Sequence, residues 1–193
     1  MISLIQSVFA LLLLLLPAGL SAEEATYVGV EQCMMCHLPH YDSWDDTRMS
    51  KAFELLKPGV RAEAKIKAGI DPDVDFTREA FCLDCHVTGF GKPGGFVDFE
   101  TTPDLAGVQC EMCHGPGSIY SKMMVKKKGT YTLDDYKAKG GLTMPSEQNN
   151  ICAEKCHNKA SPFVYTLKFD FEDRKAIGTH RHDLRYIYLP FDL

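Results

Sequence analysis

One short pattern, Cys-x-x-Cys-His, constrains this chain more than any other feature. It occurs at residues 33–37, 82–86 and 110–114, and a copy lengthened by one residue occurs at 152–157. These four motifs contain all eight cysteines of the chain. Two thiols one helical turn apart can bond to the two vinyl groups of a haem, and the adjacent histidine can then bind the iron. The spacing therefore predicts four covalently attached haem c groups.

This prediction gives a role to every cysteine and to four of the seven histidines. Thioether bonds are expected at Cys33, Cys36, Cys82, Cys85, Cys110, Cys113, Cys152 and Cys156. The proximal iron ligands are expected to be His37, His86, His114 and His157. Zinc sites and disulfide frameworks also use paired cysteines, but neither requires a histidine after every second cysteine. The extra residue in the fourth motif is compatible with attachment because residues i and i+4 share a helix face, as i and i+3 do.

The first 22 residues have the pattern of a secretory signal peptide, and residues 23–193 are expected to form one tetrahaem domain. Residues 2–22 carry no charged side chain, the apolar run at 9–16 is short for a membrane span, and Ser21-Ala22 offers small residues for cleavage. Because the run is preceded by no Lys or Arg, an uncleaved membrane anchor is the alternative. Haem is attached outside the cytoplasm, so we expect a periplasmic, extracellular or cell-surface location.

The domain must enclose four haems, so the porphyrins should supply much of its apolar interior. We therefore expect a mainly α fold, an irregular helical arrangement wrapped around the haems with little or no sheet. One helix is predicted over residues 43–56, capped by Ser43, with Trp44, Thr47, Phe53 and Leu56 facing inward.

Local signals predict three further features. Thr132 followed by Asp135 resembles a capped helix start, and Ser146 is expected to cap the helix that carries the fourth motif. Four glycines within residues 89–96 suggest backbone that passes close to a flat ring, with an ordinary surface turn as the alternative.

Residues outside the motifs make the chain resemble the tetrahaem cytochrome c-554 family of nitrifying and related bacteria. The matching residues are Ser43-Trp44, Asp46-Thr47, Lys51-Ala52, Leu56-Lys57-Pro58, Gly89-Phe90-Gly91, Gly94-Gly95, Gly107-Val108, Cys110-Glu111, Cys113-His114-Gly115-Pro116-Gly117, Tyr165-Thr166, Lys168-Phe169-Asp170 and His180-x-His182. The resemblance covers nearly all of residues 23–193. It implies a mostly helical, haem-wrapping fold and an electron-carrier role.

Histidine is in short supply for the distal side of the haems. Beyond the four motif histidines only His40, His180 and His182 remain, so this chain cannot supply four bis-His haems. The resemblance implies that His180 serves the first haem, with His182 as the alternate. It also places Met49 and Met124 where the family has distal histidines.

The resemblance leaves the second haem without a distal side chain. The expected pairs are therefore His37/His180, His86/open, His114/Met49 and His157/Met124. Met123 is the alternate to Met124, and both assigned methionines could instead be gap-filling core residues.

We expect an electron carrier, not an enzyme, working between redox protein partners that the sequence does not identify. Two alternatives are a subunit of a larger redox complex or extracellular cytochrome polymer, and nitric oxide binding at an open second haem. The formal charge of −5 argues against nucleic acid as a partner. Membrane contact is expected only if the signal segment stays uncleaved. Lys122 and residues 126–128 form either a docking patch for an acidic partner or a solvated helix face.

Overall fold

The computed structural model describes residues 23–128, 130–143, 145–146, 149–161 and 169–184. The predicted signal peptide, residues 1–22, lies outside the described residues, as do residues 162–168 and 185–193 of the tail. The described helices carry the four motifs on separate short elements. They are α1 Val30–Asp45, α2 Ala62–Lys67, α3 Ala80–His86, α4 Cys110–His114, α5 Tyr120–Lys127, α6 Leu133–Lys137 and α7 Phe171–Gly178, with 3₁₀ turns at Phe53–Leu56 and Pro103–Leu105 and a π-helical turn at Cys152–Cys156.

The predicted fold class is confirmed. Most regular structure is short helix joined by turns, and the described residues contain no strand beyond one isolated antiparallel bridge between Val87 and Ala106. No helix in the described ranges is both long enough and apolar enough to cross a bilayer.

The helix predicted over residues 43–56 is wrong in its bounds. Helix α1 runs through the first motif and ends at Asp45, and a 3₁₀ turn follows only at Phe53–Leu56. Hydroxyl side chains explain the break: Thr47 Oγ1 donates to the carbonyl of Trp44 at 2.7 Å, and Ser50 Oγ donates to that of Asp45 at 2.7 Å. Such bonds compete with the helical backbone pattern and favour turns.

Three of the four residues expected to face inward in that segment are buried, whereas Thr47 is half-buried. Trp44, Phe53 and Leu56 are buried, and Trp44 Nε1 donates to the carbonyl of Val108 at 2.9 Å. The main apolar cluster lies beneath the second motif and consists of Phe53, Leu56, Leu83, Val87, Phe96 and Leu105. Because Leu83 stands between the two cysteines of α3, this cluster fixes the second motif in place.

The glycine-rich loop does pass against a flat ring, and the ring is that of Tyr27. Gly89 has a φ of +70°, and a Cβ there would lie 2.7 Å from the Tyr27 ring. A side chain at this position would therefore collide with Tyr27 and would also be conformationally strained. Tyr27 N donates to the carbonyl of Pro93 at 3.2 Å, which joins the loop to the segment that precedes α1.

One of the three predicted caps is confirmed and two are wrong. Ser43 lies inside α1 near its end, and its Oγ accepts from Arg181 N at 2.7 Å. Thr132 and Asp135 form a reciprocal capping box at the start of α6. Ser146 instead accepts a hydrogen bond from Asn149 N at 3.1 Å, within a turn. Asn150 takes the capping position, since its Oδ1 accepts from Ala153 N at 3.0 Å. Asn150 lies three residues before Ala153, which is the spacing of a cap, whereas Ser146 is too far back.

Candidate haem-binding site

The first motif lies inside α1, and its histidine stands at a break in the helix. His37 has φ −116° and ψ 35°, which are not helical values, and Pro39 follows within the same helix. Proline removes a backbone donor and its ring crowds the preceding turn, so it kinks a helix. The kink separates the His37 backbone from the regular turn that carries Cys33 and Cys36.

The second and third motifs each occupy a whole short helix that ends at its histidine. His86 is the last residue of α3, and its Nδ1 lies 2.7 Å from the carbonyl of Ala52. This contact fixes the tautomer and leaves Nε2 as the nitrogen that can bind iron. His114 is the last residue of α4, and its carbonyl accepts from Leu142 N at 3.0 Å and from the Tyr136 hydroxyl.

The fourth motif absorbs its extra residue in a π-helical turn over Cys152–Cys156. The carbonyl of Cys152 accepts from His157 N at 2.7 Å, which is the i to i+5 bond that defines this wider turn. The extra residue was expected to fit within an ordinary α-helical turn, but the chain accommodates it by widening the turn. Phe169 stacks on the His157 ring with centroids 4.3 Å apart, and this contact orients the imidazole.

Thiols from different motifs lie close together and place the motifs in pairs. The Cys33 thiol of the first motif lies close enough to the Cys110 thiol of the third for each to shift the pKa of the other. The same holds for Cys85 of the second motif and Cys156 of the fourth. Burial is the main cause that raises the pKa of Cys113 in the third motif, and Cys152 of the fourth motif adds to it. The first and third motifs therefore form one adjacent pair, and the second and fourth motifs form another.

The protonation states fit haem attachment. None of the eight cysteines is in a disulfide bond, so all eight are available for thioether bonds. Burial is the main reason that the pKa values of His37, His86 and His157 are lowered, and burial lowers the pKa of His114 to about 4. These imidazoles are therefore neutral at physiological pH, as an iron ligand must be. The donor set and its spacing fit four haem c groups.

His180 lies among the histidines of the first and third motifs. Its ring centroid is 5.2 Å from that of His40, 6.2 Å from that of His114 and 4.7 Å from that of His182. Its Nδ1 is 2.9 Å from the carbonyl of Arg181, which leaves Nε2 available as a ligand. Because His180 and His182 are neighbours, the choice between them as ligand to the first haem stays a prediction.

Met49 lies near the third motif, to whose haem the ligand prediction assigns it. The carbonyl of Met49 accepts from Val108 N at 2.9 Å, two residues before Cys110 of the third motif. Met123 and Met124 are both half-buried on α5, so burial does not separate them. The Met49 and Met124 assignments stay predictions.

Sequence reasoning missed the role of Glu111, which stands between the cysteines of the third motif. Its carboxylate is fully buried and accepts hydrogen bonds from three backbone N–H groups: Val28 at 3.0 Å, Gly29 at 2.8 Å and Gly117 at 2.6 Å. Burial raises the pKa of Glu111, and these hydrogen bonds oppose that rise. The only sequence signal was an acidic residue shortly before a Gly-Pro-Gly turn, whose backbone N–H groups need hydrogen-bond acceptors.

Comparison with known proteins agrees with this site. The family described as cytochrome c554 and c-prime matches residues 32–115. Cytochrome c-554 of Nitrosomonas europaea is 36% identical, and the match covers 83% of this chain and 77% of that protein. A solved structure described as the reduced state of cytochrome c554 from the same organism aligns with a TM-score of 0.68 at 34% identity, over 83% of this chain and 87% of that one. The chain therefore belongs to the cytochrome c-554 family, whose members bind haem c and transfer electrons.

Proposed function

We propose that this protein is an exported electron carrier that takes electrons from one redox protein and passes them to another. The observation that carries the proposal is the proximity of cysteines of the first motif to those of the third, and of the second motif to those of the fourth. Because Cys152 of the fourth motif also raises the pKa of Cys113 in the third, we infer that the four motifs form one row in the order first, third, fourth, second. Thioether sulfurs at these positions would bring the edges of successive haems close together. Electrons would enter near one end of the row and leave near the other, with the first and second motifs as the ends.

Location and partners follow from the same proposal. A c-type cytochrome receives its haem outside the cytoplasm, and the pattern of residues 1–22 supports export to the periplasm or the cell surface. The partners are redox proteins that approach an end of the row. The carrier role does not require turnover of a small molecule, and an open second haem opposite His86 would be the place for ligand binding.

The proposed distal ligands make this a carrier of comparatively high potential. His180, Met49 and Met124 are assigned to the first, third and fourth haems. The axial ligand, together with its surroundings, sets haem potentials over a range of about 0.8 V, and a methionine in place of histidine raises the potential. Two His/Met haems would therefore accept electrons from donors that cannot reduce bis-His haems.

The far-red absorption spectrum of the ferric protein tests this ligand assignment. Sulfur bound to ferric haem gives a weak charge-transfer band there, and a bis-His haem lacks it. We expect the band in the unmodified protein and a loss of roughly half its intensity in each of Met49→Ala and Met124→Ala, because each change removes one of two sulfur ligands.

Two further methionine variants serve as controls. Met123→Ala tests the neighbour of Met124 on α5, and Met35→Ala tests a methionine whose side chain is exposed. Neither should change the band. Absence of the band in the unmodified protein would refute both methionine ligands, although the protein would still transfer electrons through haem c.

A further inference from the structure

An ion pair joins the fourth motif directly to the second. Lys155 Nζ lies 3.2 Å from Asp84 Oδ1. Each of these residues stands immediately before the second cysteine of its motif, Cys156 and Cys85. The corresponding residues in the first and third motifs are methionines, so the two motifs with opposite charges at this position are the two that meet.

Further contacts at the same junction bring the two charges close to the sulfur atoms. Cys85 Sγ lies 3.7 Å from the carbonyl oxygen of Lys155. The Cys85 and Cys156 sulfurs also lie close to each other. The backbone of Lys155 and its side chain therefore both contact the second motif.

The extra residue of the fourth motif lies in the segment that makes these contacts. Three residues, Ala153, Glu154 and Lys155, separate its cysteines, against two in the other motifs. The π-helical turn accommodates the third residue while Cys152 still accepts from His157 N. Widening this turn changes the direction in which Lys155 leaves the backbone, and π-turns inside helices are frequent at functional sites.

We propose that Lys155 and Asp84 form an electrostatic latch between the fourth and second haem-binding motifs. The extra residue of the fourth motif directs the Lys155 side chain towards Asp84. The paired charges set the potentials of the second and fourth haems. This inference rests on the proposed electron-carrier function. The latch contributes little to global stability, because exposed ion pairs are weak and side-chain exposure here is 51% for Asp84 and 29% for Lys155. Its effect is local and electrostatic.

The charges act on the iron in opposite directions. Oxidation adds a positive charge to the iron, so a nearby cation disfavours the ferric state and raises the potential, and a nearby anion lowers it. Paired at 3.2 Å, Lys155 and Asp84 largely cancel. Removal of either partner leaves the other charge uncompensated beside the Cys85 and Cys156 sulfurs.

Two single variants and their combination provide the test, in haem-loaded protein titrated potentiometrically with chemical mediators. Lys155→Met should shift the potentials of the second and fourth haems downward, and Asp84→Asn should shift them upward. The double variant should return close to the unmodified values. Lys127→Met, which breaks the Lys127–Asp135 pair on α5 and α6, is the matched control and should leave the potential of the second haem unchanged.

A purely structural role would give a different pattern. Loss of packing would shift the potentials the same way in both single variants, and the double variant would not recover. Either that result or unchanged potentials would overturn the latch. Because the mediators are chemical, this readout does not depend on partner proteins, so it stands apart from the test of the carrier function.

Deletion of Ala153 tests the role of the extra residue. The fourth motif then reads Cys-x-x-Cys-His with Lys155 still directly before its second cysteine. We expect four haems by intact mass, as in the unmodified protein, together with the downward shift of Lys155→Met. Unchanged potentials, with four haems attached, would show that the extra residue does not aim Lys155.

Discussion

Glu111 connects two parts of the chain through backbone N–H groups that would otherwise be buried without partners. It accepts from Val28 and Gly29, just before α1, and from Gly117, just after α4. A carboxylate suits this position because both of its oxygens accept and neither donates. The first and third motifs are held together by this side chain as well as by their thiols.

Glu111→Gln should destabilise the folded protein. The amide keeps one acceptor oxygen but turns an NH₂ group towards backbone donors, so at least one buried N–H loses its partner. We expect a loss of roughly 2 kcal/mol in the free energy of unfolding, measured by denaturant titration of the haem-loaded protein.

Glu63→Gln, on the exposed face of α2, is the control for this substitution and should change stability by less than about 0.5 kcal/mol. Equal stability of the two variants would refute the role of Glu111 as a buried acceptor.

At the scale of residues, the sequence identified the groups whose spacing is dictated by haem chemistry. The eight cysteines and four motif histidines follow a fixed pattern, and that pattern is legible without a structure. Glu111 and the Lys155–Asp84 pair are different, because their importance comes from partners 83 and 71 residues away in the chain. Only tertiary structure reveals such partners.

Among the elements, α6 shows how an entire short helix depends on its first turn. Thr132 and Asp135 cap each other's backbone, and Asp135 Oδ2 also accepts from Lys127 Nζ at 2.7 Å. The hydrogen bond from Lys127 is the main cause that lowers the pKa of Asp135 to about 2, with the backbone of Thr132 contributing. The helix also carries Tyr136, whose hydroxyl bonds to the carbonyl of His114.

Acid should therefore weaken the first turn of α6. The stabilisation is complete above the unfolded pKa of about 3.8 and is lost as the pH falls through the folded value of about 2. Amide hydrogen exchange of residues 133–137 should accelerate over this range.

Asp135→Asn should remove most of that acid dependence, because the group no longer titrates. Asp134→Asn, in the same first turn, should keep it. The same acid dependence in both variants would rule out Asp135 as its source.

Element boundaries were harder to predict than element type. The helix expected over residues 43–56 does not form as one element, because the Thr47 and Ser50 hydroxyls donate hydrogen bonds to nearby backbone carbonyls. Helix propensity alone does not show whether such side-chain bonds will form. The capping box at Thr132 succeeded because both partners lie within one turn. The π-helical turn was not foreseen, since it is a response to the extra residue in a motif and leaves no pattern of its own.

At the scale of the whole molecule, a group of lysines on α5 and directly after it stands out in an acidic chain. Lys127 pairs with Asp135, while Lys122, Lys126 and Lys128 are exposed. Whether these three lysines form a docking patch or a solvated helix face stays a prediction. The overall charge of −5 makes this patch distinct from its surroundings.

If an acidic redox partner docks on these three lysines, the rate of reduction by that partner should fall as salt rises. Dissolved salt screens the charges, and the Debye length falls from about 30 Å at 0.01 M to about 10 Å at 0.1 M ionic strength. The double substitution Lys126→Glu and Lys128→Glu should slow reduction roughly tenfold at low salt, measured by stopped-flow absorbance.

Lys92→Glu, on the exposed glycine-rich loop, is the charge-matched comparison and should have a much smaller effect. If the rate of reduction by the partner changes neither with salt nor with the lysine substitutions, the docking surface lies elsewhere.

The fold class could be predicted because haems replace most of an ordinary core, which leaves short helices and loops. The order of the motifs in space could not, because it differs from their order in the chain. It depends on long-range contacts such as Cys33 with Cys110 and Cys85 with Cys156. Local periodicity carries no information on such contacts.

The Glu111 contact also has a consequence for how the protein matures. Its partner Val28 is 83 residues away along the chain. Closing the loop between them costs roughly 4 kcal/mol in chain entropy, and this cost comes before any contact offsets it. Contacts of such long range form late in folding. The segment before α1 therefore docks only after the third motif has entered the same compartment. If the chain is exported as proposed, the first motif remains in open chain until then and is accessible for haem attachment.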